Sequence, residues 1–344
     1  MKKTLLAVGA MLACLGAAQA QSSVQVSGLL DTYVGSMRMA GAAGRTNVVG
    51  SGGMTTSWVG FSGTEDLGNG LKATFALNAF LRVDTGAPGR FDGEPFFSRD
   101  ANVGLTGGFG AVTLGRGKAP NFLPTILLNP FGDSFTVSPL VLHANVNPNA
   151  NWAYRSTPAD TGWSNQITYS TPSLHGLKAN LHYQFGEQAN ASGKRNVGFN
   201  VMYANGPAAV MAFYENADIN NPVAPNTVRN RKTDWMLGGS YNFDVVKLFA
   251  TYGQAKEKKI DLKTKTWSLG ADIPVNKAGS VKLALAHTKA DLAAPAADAT
   301  RKTYSLGYDH FLSKRTDVYT VAMRDSISRQ KSGTSVLLGI RHRF

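Results

Sequence analysis

The chain has 344 residues, of which 17% are charged, 37 are glycine and one is cysteine, and its formal charge is +13. Soluble domains average ~25% charged residues and ~7% glycine, so the composition speaks against a charged helical protein and suits a large, turn-rich β-protein. One cysteine excludes a disulfide framework, and no run beyond residue 20 approaches the ~18 consecutive apolar residues of a helical membrane span.

The first twenty residues read as a secretory signal. Lys2 and Lys3 give a positive start, Leu5–Leu15 an apolar core, and Ala18-Gln19-Ala20 a small-x-small cleavage site. The mature chain is expected to begin at Gln21. A competing reading makes Cys14 a lipid-acylation site, but Met11 stands where leucine is usual three residues before it. Cleavage removes two lysines and no acid, so the mature charge stays positive, which suits anionic partners through steering rather than through fold.

From Ser23 to Phe344 the dominant pattern is period-two alternation, the mark of strands with two unlike faces. Leu71, Ala73, Phe75, Leu77, Ala79, Leu81 and Val83 alternate with Lys72, Thr74, Asn78 and Arg82. Leu177, Ala179, Leu181 and Tyr183 alternate with Lys178, Asn180 and His182, and Trp267, Leu269 and Ile273 with Thr266, Ser268 and Asp272. About sixteen such segments fit the chain if each strand has the ~9–11 residues of a transmembrane β-strand. Short connections (65–70, 107–110, 172–176, 205–207, 244, 274–279, 311–315) take turns with longer polar ones (37–53, 84–97, 188–195, 218–231, 257–263, 292–299, 327–333). Tyrosines and tryptophans cluster near strand ends, as in girdles at two membrane interfaces. A soluble sandwich or propeller would also alternate, but it needs neither the regular loop alternation nor the outward aromatics.

Between two short strands near Ser98–Thr106 and Ala111–Gly117 lies the glycine-rich turn Gly107-Gly-Phe-Gly110. After it, strand pattern stops for about forty residues, a length that usually carries function. Pro120, Pro124, Pro130 and Pro139 stiffen a stretch rich in Phe122, Leu123, Ile126, Leu127, Leu128 and Phe131. An apolar loop must pack on something, so residues 118–162 are expected to fold into the cavity that the strands enclose. The expectation is therefore an all-β transmembrane antiparallel barrel, spanning 21–344, with an inward-folded third long loop.

Several motifs give this pattern a family. Ser62-Gly-Thr-Glu-Asp-Leu-Gly-Asn-Gly-Leu-Lys-Ala73, Val103-Gly-Leu-Thr-Gly-Gly-Phe-Gly-Ala-Val-Thr-Leu-Gly-Arg116, Asn129-Pro-Phe-Gly-Asp133, Gln166-Ile-Thr-Tyr-Ser-Thr-Pro172 and Leu338-Gly-Ile-Arg-His-Arg-Phe344 resemble general diffusion porins of Gram-negative outer membranes, β-proteobacterial type. The resemblance covers the whole mature chain. It implies a homotrimer of sixteen-stranded barrels in the outer membrane, surrounded by membrane lipid and lipopolysaccharide, whose third loop makes a charged eyelet. It also implies that the terminal Phe344 is read by the outer-membrane insertion machinery. One departure matters: the family's Ser-Arg pair at the start of the second strand is Ser57-Trp58 here, which weakens the positive side of the pore at one point.

A channel needs rings of charge at a narrow point, with binding weak enough for release. Arg116 matches the family arginine at the loop's start and leads the candidates; the plainer alternative is a bond to the loop's own backbone. Arg82 belongs to the eyelet or to the vestibule, and Lys118 and Arg155 flank the loop. Asp133 would supply the negative side unless it merely forms a turn after Gly132. Lys72, Lys178 and Lys282 would wet the lumen. The six histidines show no metal-ligand spacing, there is no Gly-x-Ser-x-Gly elbow and no phosphate loop, and no basic run is interleaved with aromatics as nucleic-acid binding requires. No cofactor, metal, catalysis or nucleic acid is expected. The reading is a water-filled pore for small ions and hydrophilic solutes, mildly favouring anions. The alternatives are a substrate-specific channel, with the apolar loop and Trp58 as a greasy track, and a surface adhesion barrel.

Overall fold

The computed structural model describes residues 23–144, 146–147, 152–154, 160–187, 195–218, 231–292 and 298–344. The expected signal and cleavage site (1–20) and Arg155 lie outside the described residues. The chain forms β1 (Ser23–Met37), β2 in two pieces (Thr46–Ser51 and Trp58–Gly68), β3 (Leu71–Phe80), β4 (Asp100–Gly107), β5 (Gly110–Lys118), β6 (Gly162–Ser170), β7 (Leu177–Gln184) and β8 (Asn196–Asn205). It continues through β9 (Ala208–Asp218), β10 (Arg231–Asn242), β11 (Lys247–Glu257), β12 (Leu262–Pro274), β13 (Gly279–Asp291), β14 (Ala299–Phe311), β15 (Thr316–Ile327) and β16 (Gly333–Arg343).

Each strand pairs antiparallel with its sequence neighbour, and β16 returns to β1 with Leu29 opposite Arg343 and Ser36 opposite Val336. The sheet therefore closes and leaves no edge, as backbone groups in lipid demand. The Gly28 N–H donates to the Phe344 carbonyl and the Phe344 N–H donates back to Gly28, so the last residue completes the seam.

Alternation sorts the two faces as the pattern requires. Leu181 and Leu269 are 52% and 49% exposed, whereas their neighbours Asn180 and Ser268 are 7% and 5% exposed. Short connections at 69–70, 108–109, 206–207 and 312–315 lie at one end, and the longer segments at the other.

Two details differ from the sequence expectation. Residues 37–53, expected as loop, contain a strand: Thr46–Ser51 pairs with Met37–Thr32 of β1, on the same side as Trp58–Gly68. The two pieces are one interrupted strand. Residues 52–57 leave the ladder there, and the Asp31 carboxylate accepts their N–H groups instead, from Gly53 (3.1 Å), Met54 (2.8 Å) and Thr55 (2.7 Å). A buried amide needs a partner, and here a side chain replaces the neighbouring strand. The second difference is β3, which ends at Phe80; Leu81 only bridges to Pro88, so Leu81, Arg82 and Val83 belong to the loop 81–99.

The segment 119–161 is not structureless. It carries α1 (Phe122–Leu127) and α2 (Pro139–Ala144), and a two-residue ribbon pairs Val146–Asn147 with Ala153–Tyr154. Leu128 and Leu140 pack against Met211, Phe213 and Met236 of β9 and β10. Phe131, Val137 and Leu142 pack against Tyr319, Val321, Met323 and Leu337 of β15 and β16. All these wall residues stand on the face opposite the exposed leucines, so the segment lies on the inner side of the wall. Its backbone is satisfied by that wall: Asn200 donates to the Pro120 carbonyl (3.0 Å), Ser305 to Val137 (2.7 Å) and Ser134 reaches the Gly53 carbonyl (2.7 Å). Close approach requires glycine at Gly270, where a Cβ would stand 2.6 Å from Pro130 Cδ.

Candidate functional site

Below α1, the inner wall of β3–β8 and the start of the loop enclose a polar cavity of about 370 Å³ bordered by Asn102, Arg116, Lys118, Lys178 and Asn200. Lys118, at the end of β5, is half-exposed and its Nζ lies 3.1 Å from the Asp100 carboxylate, which also accepts from Asn78 (3.0 Å). Asp100 is buried, so only the lysine end of the pair reaches solvent.

Arg116 is 6% exposed. Its guanidinium donates to the Ser98 carbonyl, to the Ser164 hydroxyl (3.0 Å) and to the Gly162 carbonyl (3.5 Å). These partners precede β4 and open β6, so Arg116 ties together the two chain segments that flank the inserted loop. A second clamp, which sequence reasoning missed, sits beside it. Arg90, on loop 81–99, is buried between Glu94 (2.5 Å) and Asp160 (3.0 Å), and those two carboxylates raise its pKa against the pull of burial. The clamp fastens loop 81–99 onto the end of the inserted loop.

Trp58 points inward at the break in β2. The Arg99 guanidinium lies over its ring, 3.8 Å from the centroid. Burial lowers the Arg99 pKa while Asp100 and Asp133 act to raise it, and a guanidinium stays charged at any working pH. Burial pushes the Asp133 carboxyl up to about 6, against the opposing effects of Arg99, the Thr55 hydroxyl and Arg341. The structure thus gathers Trp58, Arg99, Thr55, Asp133 and Arg341 around one side of the lumen. Sequence reasoning did not single out Arg99. The signal that could have singled it out is its place directly before β4, where its N–H donates to Asn78 of β3, the strand whose Phe80 pairs with Trp58.

Arg82 bonds within its own loop, to Asp92 (2.6 Å) and to the Pro88 carbonyl (3.5 Å). Lys282 is paired with Asp272 (2.6 Å). His143 of α2 is buried between the Thr288 and Thr303 hydroxyls at 2.8 Å each, and burial drives its pKa well below the usual value. It anchors the inserted loop as a neutral group. Among the described residues no cluster of three or more His, Cys, Asp or Glu has metal-binding geometry.

A closed barrel of sixteen strands, apolar outside, polar inside and crossed by one inserted loop, defines a diffusion channel of the outer membrane. The Gram-negative porin family matches residues 6–330, and the chain belongs to that family. It is similar over 100% of both chains to outer membrane porin protein 32 of Delftia acidovorans, at 34% identity, and to an outer membrane porin of Bordetella pertussis, at 29%. Among solved structures, the anion-selective porin from Comamonas acidovorans superposes with a TM-score of 0.77 at 31% identity, covering 94% of this chain and 100% of that one. The chain is an outer-membrane porin, a channel and not an enzyme.

Proposed function

We propose that residues 118–162 form the eyelet of this pore, and that the channel passes small anions somewhat more readily than cations. The observation that carries this reading is Arg99 laid over Trp58: the position where the family places an arginine holds a ring, and the ring carries a guanidinium. Arg99, Lys118 and Arg116 supply the positive side, Arg116 through the field of a fixed, buried charge. Asp133 opposes them, which keeps the preference modest. The resemblance to a porin described as anion-selective supports the same sign. Most apolar loop residues are withdrawn from the solute path: Leu128, Phe131 and Val137 are all but fully buried against the wall, which leaves Leu123 and Leu127 as the apolar side chains of α1 that remain open. The test is the reversal potential in a potassium chloride gradient across a planar bilayer. A cation-directed potential at neutral pH would refute the reading.

The assembly proposed is a homotrimer, joined through β16, β1 and β2. Outward residues there are mostly aliphatic (Val336, Leu338, Ile340, Val24, Val26, Val34), with Phe61 and the terminal Phe344 as exceptions, whereas β7–β14 carry the aromatic girdle (Tyr183, Phe199, Tyr214, Trp267, Tyr304). A girdle marks contact with the lipid interface, and the smooth sector without one suits a protein partner. One of the structures sharing the fold, from Vibrio cholerae, is described as a trimer form. Cleavage after Ala20, reading of Phe344 by the insertion machinery and contact with lipopolysaccharide complete the proposal.

A further inference from the structure

The Arg90 guanidinium has two kinds of neighbour. Its nitrogens donate to the Glu94 carboxylate and, at 3.0 Å from each of two nitrogens, to both oxygens of Asp160. Around it stand three rings, with centroids 5.0 Å (Phe80), 5.7 Å (Phe91) and 6.0 Å (Phe135) from its central carbon, all within cation–π range. A planar guanidinium bonds carboxylates through its fork while it stacks on rings, a combination that a compact ammonium does not reproduce.

Phe135 is the informative contact, because it lies inside the inserted loop, two positions after Asp133. Its sequence neighbours Ser134 and Thr136 donate their hydroxyls to the Gly53 and Gly52 carbonyls at the break in β2. Segment 133–136 is therefore held twice, by the break through Ser134 and Thr136 and by loop 81–99 through Phe135. The charged groups acting on Asp133 divide in the same way: Arg99 comes from loop 81–99 and Arg341 from β16, while the Thr55 hydroxyl of the break bonds the carboxyl. Arg90 is not itself a pore charge. Its side chain is 8% exposed and sits between two carboxylates that are fully buried.

We propose that Arg90 is a positioning residue for selectivity: by holding Phe135 it keeps Asp133 seated beside Arg99, so that loop 81–99 helps to set which ions the pore prefers. The inference rests on the eyelet reading given above. Two routes from Arg90 to Asp133 carry opposite signs. Were Arg90 only a nearby cation, its removal would disfavour the ionised carboxylate, and Asp133 would titrate higher. As a positioning residue its removal admits water to a carboxyl that burial holds up at about 6, and Asp133 titrates lower.

The test records the reversal potential of the purified full-length porin in a potassium chloride gradient, over a pH series, and takes the midpoint of the change in selectivity. Arg90→Met should lower that midpoint by about one unit, and Arg90→Lys, which keeps the charge and loses the fork, should fall between Arg90→Met and the wild type. When Asp133 is already replaced by Asn, adding Arg90→Met should leave selectivity where Asp133→Asn put it, because Arg90 acts through that carboxylate. An unmoved or raised midpoint in Arg90→Met would overturn the proposal, as would the same selectivity shift with and without Asp133. If Arg90→Met fails to fold, Phe135→Leu decides by the same midpoint, since it removes the ring and spares both ion pairs: a lower midpoint supports the proposal and an unchanged one refutes it. A wild-type channel whose selectivity ignores pH refutes the eyelet reading and this inference with it. A responsive wild type with an identical midpoint in the variants refutes the inference alone.

Discussion

A guanidinium resting on an indole keeps its charge but loses the freedom to search for carboxylates, and such a contact contributes about 1 kcal/mol when partly desolvated. At the proposed eyelet this means that Arg99 presents a held positive charge, with Asp133 within its electrostatic reach. Replacing Arg99 by Gln should move the reversal potential toward cations, and by more than Lys178→Gln on the open wall, because fields are strongest where low-dielectric walls narrow the path. Equal shifts from the two would mean that total lumen charge sets selectivity. Asp133 gives the effect a pH dependence. Its carboxyl, raised by burial to about 6, is ionised at pH 7.5 and mostly neutral at pH 5. Losing that negative charge leaves Arg99 opposed by Asp100 alone, so the anion preference should grow as pH falls through 6, and the growth should vanish in Asp133→Asn. Reversal potentials measured at both pH values in one salt gradient check this.

The interrupted second strand and the inserted loop are coupled elements. The loop's Ser134 and Thr136 hydroxyls donate to the Gly53 and Gly52 carbonyls, while the amides of the same break are held by Asp31. The Tyr319 hydroxyl also donates to Asp31, which fastens the break to β15. Asp31→Ala leaves three buried N–H donors without their acceptor, and each such orphan costs ~1–3 kcal/mol. The variant should therefore melt markedly lower and show noisy, substated conductance as the loop loses its seat; a quiet wild-type channel with an unchanged melting point would contradict this coupling. The wall strands obey a simpler rule. Arginine at Leu181 or Leu269 should cost roughly 2–4 kcal/mol near mid-bilayer depth, and Arg at Ser268 far less, because it faces water. Folding titrations into vesicles separate the two faces.

At the scale of the whole molecule, one barrel presents two unlike outer sectors, and this asymmetry bears on assembly. Leu338, 58% exposed in the single chain, sits at the centre of the smooth sector. Leu338→Arg should yield folded monomers with wild-type secondary structure, visible as a shift on native gels, whereas Val210→Arg on the girdle side should impair membrane folding without separating subunits. Phe344 bears on closure as well as targeting. Its backbone pairs with Gly28, and its ring lies 2.6 Å from where a Gly28 Cβ would stand. Deleting it should therefore leave degraded or periplasmic protein, and heat-modifiable trimers from the deletion would refute that role.

The strand count, the closed barrel and the sides of its wall follow from the sequence alone, because a strand in lipid has only two environments and period two writes both into the chain. The inward loop was legible for a related reason: a long apolar stretch such as Phe122–Phe131 has to be buried, and the only shelter in a closed barrel is its own interior. The strand hidden in 46–51 was not legible, since the break at 52–57 is satisfied by Asp31, a partner some twenty residues away that no local pattern announces. That Arg116 is held by the carbonyls of Ser98 and Gly162, and that Arg99 rests on Trp58, was not legible, because hydrogen bonds and ring contacts depend on which segments the barrel brings side by side. Alternation decides which way a side chain points. Only the closed tertiary structure decides what it meets there.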